Sequence, residues 1–298
     1  MNILIIGFGS IGQRHFNNLK TLGFHPEIYS HHLHQTKPSR KSYDLILICS
    51  RTADHLQDIK KFKKLSQNFF IEKPVAASVA QAQAIKKILK NKKVMLGYVL
   101  IFHPLIKKIR SLLNRKKLGD VFLAQLHAGY YLPYWRQTDY CQSYSASKAQ
   151  GGGVSLDLIH EINYAQFLFP QSISKIIGAA SHISDLKITS DDVAFFGLVQ
   201  KDKYINISLN YLDRRLQRYI LIFGTKGKLI CDLASKSLSI INNDGQKVIS
   251  EKINLDMNNL YLDELKSFIT AIKNKLAISP IISLNQGVKD VKIVSYVS

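Results

Sequence analysis

The first fifteen residues constrain this chain more than any other stretch. Four apolar residues, Ile3 to Ile6, lead into Gly7-Phe8-Gly9-Ser10-Ile11-Gly12, and a helical pattern continues from Gln13-Arg14-His15. A strand that enters a G-x-G-x-x-G loop and leaves as a helix is the opening unit of a doubly wound sheet. The first glycine makes the tight turn. The second lets the backbone approach a pyrophosphate, and the third permits close helix–strand packing. The helix start then turns free N–H groups toward the phosphates. The reading is an NAD(P)-binding loop formed by Gly7, Phe8, Gly9, Ser10, Ile11 and Gly12; an ordinary glycine turn is the alternative.

Beyond this loop, strand and helix alternate. Strand-like runs at Glu27–Ser30, Leu45–Ile48, Asn68–Ile71 and Val94–Gly97 are separated by helical segments. That pattern predicts a parallel, doubly wound sheet. Ligands of such sheets bind beyond the carboxyl ends of the strands. Ser30, the Cys49-Ser50-Arg51 turn with His55 close behind, and Glu72-Lys73 fall at such ends and are candidate cofactor contacts. No acidic residue ends the second strand to hold ribose hydroxyls. His31, His32, Lys37, Arg40 and Lys41 stand there instead, and basic residues there suit a 2′-phosphate. The cofactor is read as NAD(P), with a slight lean to NADP. Adjacent histidines in an extended segment face opposite sides, so no metal is expected.

The chain has 298 residues, about two domains by the usual length prior. We place the first at residues 1–119 and the second, a substrate and oligomerisation domain, at 120–298. No apolar run reaches the roughly 18–20 residues of a membrane span. The start carries no basic segment of the signal-peptide kind, which predicts a cytoplasmic protein. Cys49, Cys141 and Cys231 are widely spaced and read as incidental thiols. The net charge is +20. Its lysines cluster in short helical runs and no nucleic-acid motif accompanies them, so solvated helix faces are preferred to a nucleic-acid surface.

Together with the opening loop, several later motifs carry a resemblance: Glu72-Lys73-Pro74, Gly97-Tyr98, Phe102-His103-Pro104, and Gly151-Gly152-Gly153-Val154-Ser155-Leu156-Asp157-Leu158-Ile159-His160. Over nearly its whole length the chain resembles the Gfo/Idh/MocA oxidoreductases, which include glucose–fructose oxidoreductase and inositol dehydrogenase. The stretch from Tyr130 to Lys148 is similar to a branch linked to surface-polysaccharide sugars. The resemblance implies an α/β fold: a Rossmann domain, then an α/β domain on a large, open, mostly antiparallel sheet, with the cofactor between them. It also implies a homo-oligomer, dimer or tetramer, formed through the open sheet.

The implied reaction is hydride transfer to or from a secondary alcohol carbon of a sugar or nucleotide-activated amino sugar. Such chemistry needs a base for the hydroxyl proton and stabilisation of developing negative charge. By resemblance, Lys73 contacts cofactor and substrate hydroxyl, His160 is the catalytic histidine, and Asp157 orients substrate or histidine. Asp157 stands three residues before His160, where many relatives have four, and Ile101 replaces a common arginine. Tyr98, His103, Tyr131, Trp135 and Arg136 are further substrate-binding candidates, since aromatic faces and arginine forks suit sugars. The residues 154–169 read as one apolar helix with Asp157, His160 and Asn163 along one side.

Six strand-like runs lie between Ile176 and Ile241, separated by polar turns, and Leu260–Lys273 reads as a final helix covering the Rossmann domain. Two other readings stay open: a nucleotide-binding regulatory protein without turnover, and an enzyme that uses transient oxidation to drive hydrolysis or elimination.

Overall fold

The computed structural model describes residues 1–30, 38–135 and 139–297. The chain divides into two compact units. The first comprises Met1–Val99, Ala149–Gly151 and Met257–Lys292; the second comprises Leu100–Lys148, Gly152–Asp256 and Ile293–Ser298.

The first unit is built on β1 (Ile3–Ile6), α1 (Ser10–Thr21), β2 (Glu27–Tyr29), β3 (Leu45–Ile48), α2 (His55–Phe62), β4 (Asn68–Glu72), α3 (Val79–Ile88) and β5 (Lys93–Gly97). The strands form one sheet in the order β2-β1-β3-β4-β5, with every pairing parallel. β1 and β3 are ILII and LILI and are buried along their whole length. Continuous apolar runs are what a sheet covered on both faces requires, and each such side chain contributes about 2 kcal/mol when fully buried. Helix starts are set locally. Ser78 caps α3, its hydroxyl oxygen accepting from the Gln81 N–H.

The second unit contains α4 (Pro104–Asn114), β6 (Val121–Gly129), α5 (Leu132–Trp135), α6 (Val154–Asp157), α7 (His160–Leu168) and seven more strands. These are β7 (Lys175–Ser181), β8 (Val193–Gln200), β9 (Lys203–Asn210), β10 (Gln217–Gly224), β11 (Gly227–Asp232), β12 (Ser237–Ile241) and β13 (Lys247–Lys252). They form an eight-stranded sheet, β13-β12-β11-β10-β6-β9-β8-β7. All neighbours are antiparallel except β6 and β9. α7 covers β6 and β9 on one face, and α4 packs on α7. The other face is open: Ile177, Phe195 and Tyr204 are each more than half exposed there. Alternation along β9, buried at Ile205, Ile207 and Leu209, is the period-2 signature of a sheet covered on one side.

Two helices close the chain, α8 (Met257–Lys273) and α9 (Leu284–Ser295). α8 packs on α1 and β5 within the first unit. It is not the final helix that the sequence suggested, because α9 comes after it, and the Gly287 backbone lies against Leu96 and Val75. The sequence boundary after residue 119 also differs from this division: α4 groups with the second unit through its packing on α7. Among the described residues no helix is long and apolar enough to cross a membrane.

Candidate functional site

In the first unit the candidate residues gather where the parallel strands end. Gly7 has φ +91°, and its N–H donates to the Tyr29 carbonyl at 2.8 Å. A Cβ on Gly7 would lie 2.5 Å from the Ser50 nitrogen, and one on Gly12 would collide with the Gly7 carbonyl oxygen. Both positions are closed to any side chain. Gly9 differs: a Cβ there meets nothing within 4 Å. It serves as N-cap of α1, whose first turn has no acidic residue, so no carboxylate competes for the helix terminus. The Ser50 hydroxyl is buried beside this loop and has no hydrogen-bond partner among the described residues. An open backbone face, an uncompensated helix N-terminus and an orphaned hydroxyl fit a dinucleotide pyrophosphate.

The neighbours divide by role. His55 is buried, and its ring nitrogens lie 3.1 Å from the Ser50 carbonyl and 3.2 Å from that of Val75. Burial pulls its pKa down while the two carbonyls oppose that pull, and the neutral ring donates to one of the two carbonyls. Arg51 pairs with Asp54 at 2.9 Å and reaches Gln150. Cys49 is buried, and burial, helped by Glu72 and Glu264, pushes its thiol well up; it is unsuited to nucleophilic work. Ser30 is buried. His31, His32, Lys37 and Arg136 lie outside the described residues.

Glu72 and Lys73 continue the cluster. Glu72 Oε1 lies 2.6 Å from Nε2 of the buried His15, and its other oxygen accepts from the Lys73 backbone N–H at 3.3 Å. Lys73 is partly exposed, at the end of β4. Tyr98 is fully buried, with its hydroxyl paired to Asp290 of α9. Burial pushes that hydroxyl well up.

In the second unit Asp157, His160 and Asn163 are buried. They do not lie on one helix. Asp157 closes α6, Leu158 leaves helical geometry at φ −99°, ψ 28°, and His160 opens α7. Across the break the Ile159 and Glu161 N–H groups reach back three residues, to Leu156 and Leu158, where a continuous α-helix would reach back four. The Tyr211 hydroxyl donates to Asp157 Oδ2 at 2.6 Å. Asp191 braces the glycine turn: its carboxylate accepts from the Ser155 N–H at 2.8 Å and occupies the space a Cβ on Gly153 would need. Burial raises the Asp191 pKa, and the neighbouring Asp157 carboxylate adds to the rise. Glu161 is fully buried, 2.7 Å from the Arg218 guanidinium of β10, and Tyr164 donates to it.

The other candidates separate. His103 is fully buried and caps α4 by accepting from the Leu105 N–H. Tyr131 carries the Arg214 guanidinium 3.6 Å over its ring. Trp135 stacks on Tyr130 at 5.1 Å and meets Tyr211 edge-on at 5.9 Å. Tyr211 therefore joins Asp157 to an aromatic shelf. Sequence reasoning missed Tyr211, Asp191, Arg218 and His15. His15 alone had a signal, three residues past Gly12 on α1.

This loop, on a parallel five-stranded sheet, defines the first unit as a dinucleotide-binding domain. Residues 23–99 match the model of the oxidoreductase family with an NAD-binding Rossmann fold, and residues 106–230 match the GFO/IDH/MocA C-terminal domain. The chain belongs to the Gfo/Idh/MocA oxidoreductase family. It is 23% identical over 305 residues to myo-inositol 2-dehydrogenase of Thermotoga maritima, covering 92% of this chain and 89% of that one. It is 24% identical over 208 residues to 2,7-anhydro-N-acetylneuraminate hydratase of Escherichia coli, covering 68% of this chain. The match spans about half the length, 55%, of that relative. Levoglucosan dehydrogenase in complex with NADH superposes with TM-score 0.83 at 14% identity, covering 100% of this chain and 95% of the other.

Proposed function

We propose that this chain is a cytoplasmic NAD(P)-dependent dehydrogenase or reductase acting at a secondary alcohol carbon of a sugar or nucleotide-activated sugar. The observation that carries the reading is the glycine loop: Gly7 and Gly12 are closed by packing, Gly9 is open, and Ser50 offers its buried hydroxyl beside it. When bound, the nicotinamide cofactor supplies the two-electron chemistry. The chain's own residues hold the pyrophosphate on the α1 terminus and handle the substrate proton.

Lys73 and His160 are the groups we assign to that proton, and Asp157 is assigned to orient substrate or histidine. Tyr211 donates to Asp157 Oδ2 at 2.6 Å and so orients its carboxylate. Tyr131 and Trp135 offer ring faces for a sugar. The basic residues after β2 favour NADP in this reading. The open face of the second sheet, with Ile177, Phe195 and Tyr204 exposed, supports a homo-oligomer formed there; light scattering of the purified chain would show a dimer or tetramer.

The test is turnover on a panel of cyclic polyols, sugars and nucleotide sugars. Lys73→Met and His160→Asn should each lower kcat by about 100-fold or more while nucleotide binding persists. Unchanged turnover in both variants would remove these residues from the mechanism. A similarity to a hydratase favours a second reading, transient oxidation coupled to addition or loss of water. Product formation without net change in nicotinamide absorbance would select it.

A further inference from the structure

We propose that the first unit carries a second anion site, for a small ligand with two or more phosphate groups, at the end of its parallel sheet opposite the glycine loop. A cavity of about 610 Å³ opens there, lined by Lys86, Lys90, Lys92 and Lys93 together with Ser283 and Asn285, over the apolar side chains of Leu89, Val94 and Leu284. That volume lies within the few hundred to about 1,000 Å³ typical of small-molecule sites.

The lining contains four ammonium groups and no carboxylate. Two of the amines are held in place. Lys92 Nζ donates to the Ser66 carbonyl at 2.5 Å and to Gln67 Oε1 at 3.4 Å. Lys93 Nζ donates to the carbonyls of Ala271, at 3.2 Å, and Leu276. Carbonyl and amide partners orient an ammonium group without cancelling its charge. The side chains of Lys86 and Lys90 make no hydrogen bond or ion pair among the described residues and stand exposed at the rim. The segments that build the cavity, Val79–Lys93 and Thr270–Lys289, contain no aspartate or glutamate. The first turn of α9, which begins at Leu284, has no acidic residue either. A concave wall of one charge sign focuses the field and draws anions.

The chemistry of the lining selects the class of ligand. Lysines bind phosphate as point charges, whereas planar bidentate recognition of carboxylate calls for arginine, and the cavity has none. No aromatic ring lines it, so it offers nothing for stacked bases, the usual support of single-stranded nucleic acid. Its position separates it from the dinucleotide loop. Lys93 begins β5, whereas Gly7, Ser50 and Lys73 come after the carboxyl ends of their strands. Five strand residues span roughly 16 Å.

Calorimetric titration of the full chain with sodium tripolyphosphate tests the site. The expected result is saturable one-to-one binding that persists at saturating NADH and in Gly9→Asp. It should weaken by about tenfold or more in the double variant Lys86→Glu, Lys90→Glu. The exposed lysines of α2 and its end serve as the control: Lys60→Glu, Lys64→Glu changes net charge equally but should leave binding within about twofold. Equal weakening in both double variants would reduce the effect to diffuse surface charge and overturn the proposal. Displacement by NADH would reassign the anion to the glycine loop and also overturn it. So would an RNA oligomer that binds far more tightly than tripolyphosphate, with a steep salt dependence. Thermal unfolding of each variant confirms that it is folded.

Discussion

His15 and Glu72, 57 residues apart in sequence, meet at 2.6 Å between Nε2 and Oε1, with the histidine side chain fully buried and the glutamate's 10% exposed. The pair joins the helix after the glycine loop to the end of β4, and the second oxygen of Glu72 accepts from the backbone N–H of Lys73. One contact thus joins α1 to the turn that carries Lys73.

Removing one partner strands the other in a buried setting. Glu72→Ala and His15→Ala should each lower the unfolding free energy by about 3 kcal/mol. In a double-mutant cycle the two losses should be far from additive, because the second substitution removes a group already without its partner. Urea denaturation of the four proteins measures this. Additive losses would show that the contact carries no coupling.

Tyr211→Phe removes only the hydroxyl that holds Asp157 Oδ2 at 2.6 Å. The expected stability loss is about 1–2 kcal/mol. If Asp157 works on substrate or histidine, kcat should fall by about tenfold or more with little change in nucleotide affinity. Steady-state kinetics beside thermal unfolding separates the two effects. A loss of stability with unchanged kcat would confine Tyr211 to packing.

His103 contributes, together with the buried His55, to the acid limb of the stability profile. Burial first, then the nearby Arg218 and Lys236 charges, pull its pKa down from 6.5 to about 4. Its folded pKa is depressed, so the unfolded chain binds the extra proton first. Stability is therefore unaffected above about pH 6.5 and falls as pH drops from there toward 4. The loss approaches about 3 kcal/mol at the bottom of that window. His103→Asn keeps a side-chain acceptor for the α4 N-terminus and should flatten this limb in denaturation curves at pH 7, 5.5 and 4.5. An unchanged slope would place the acid sensitivity elsewhere.

Much of this was legible in sequence because its signals are local. β1, the glycine loop and α1 are contiguous, and the alternating runs of β7 to β12 were each readable to within a residue or two. β6 and β13 were not. β6 carries Gln125 and His127 on its open face beside short Ala124 and Ala128, so its apolar signal is thin; β13 is polar, KVISEK. α9 was hidden by Gly287, which reads as a breaker yet is there because Leu96 leaves no room for a Cβ. The single helix expected over residues 154–169 failed because spacing does not show a three-residue hydrogen-bond shift at Leu158. Tyr211 and Arg218 reach their partners over 54 and 57 residues, and strand register, which no local pattern announces, brings them there.

The measurement that tests the central claim most directly is titration of the purified chain with NADH and NADPH, followed by nicotinamide fluorescence, in wild type, Gly9→Ala and Gly9→Asp. Both substitutions point into open space in the protein alone, so both variants should unfold at the wild-type temperature. Wild type should bind at least one nucleotide saturably. Gly9→Ala should weaken that binding, and Gly9→Asp, which adds a carboxylate on the face assigned to the pyrophosphate, should abolish it. A wild-type protein that binds neither nucleotide, or binding that survives Gly9→Asp unchanged, would contradict the assignment of this loop and the oxidoreductase mechanism built on it.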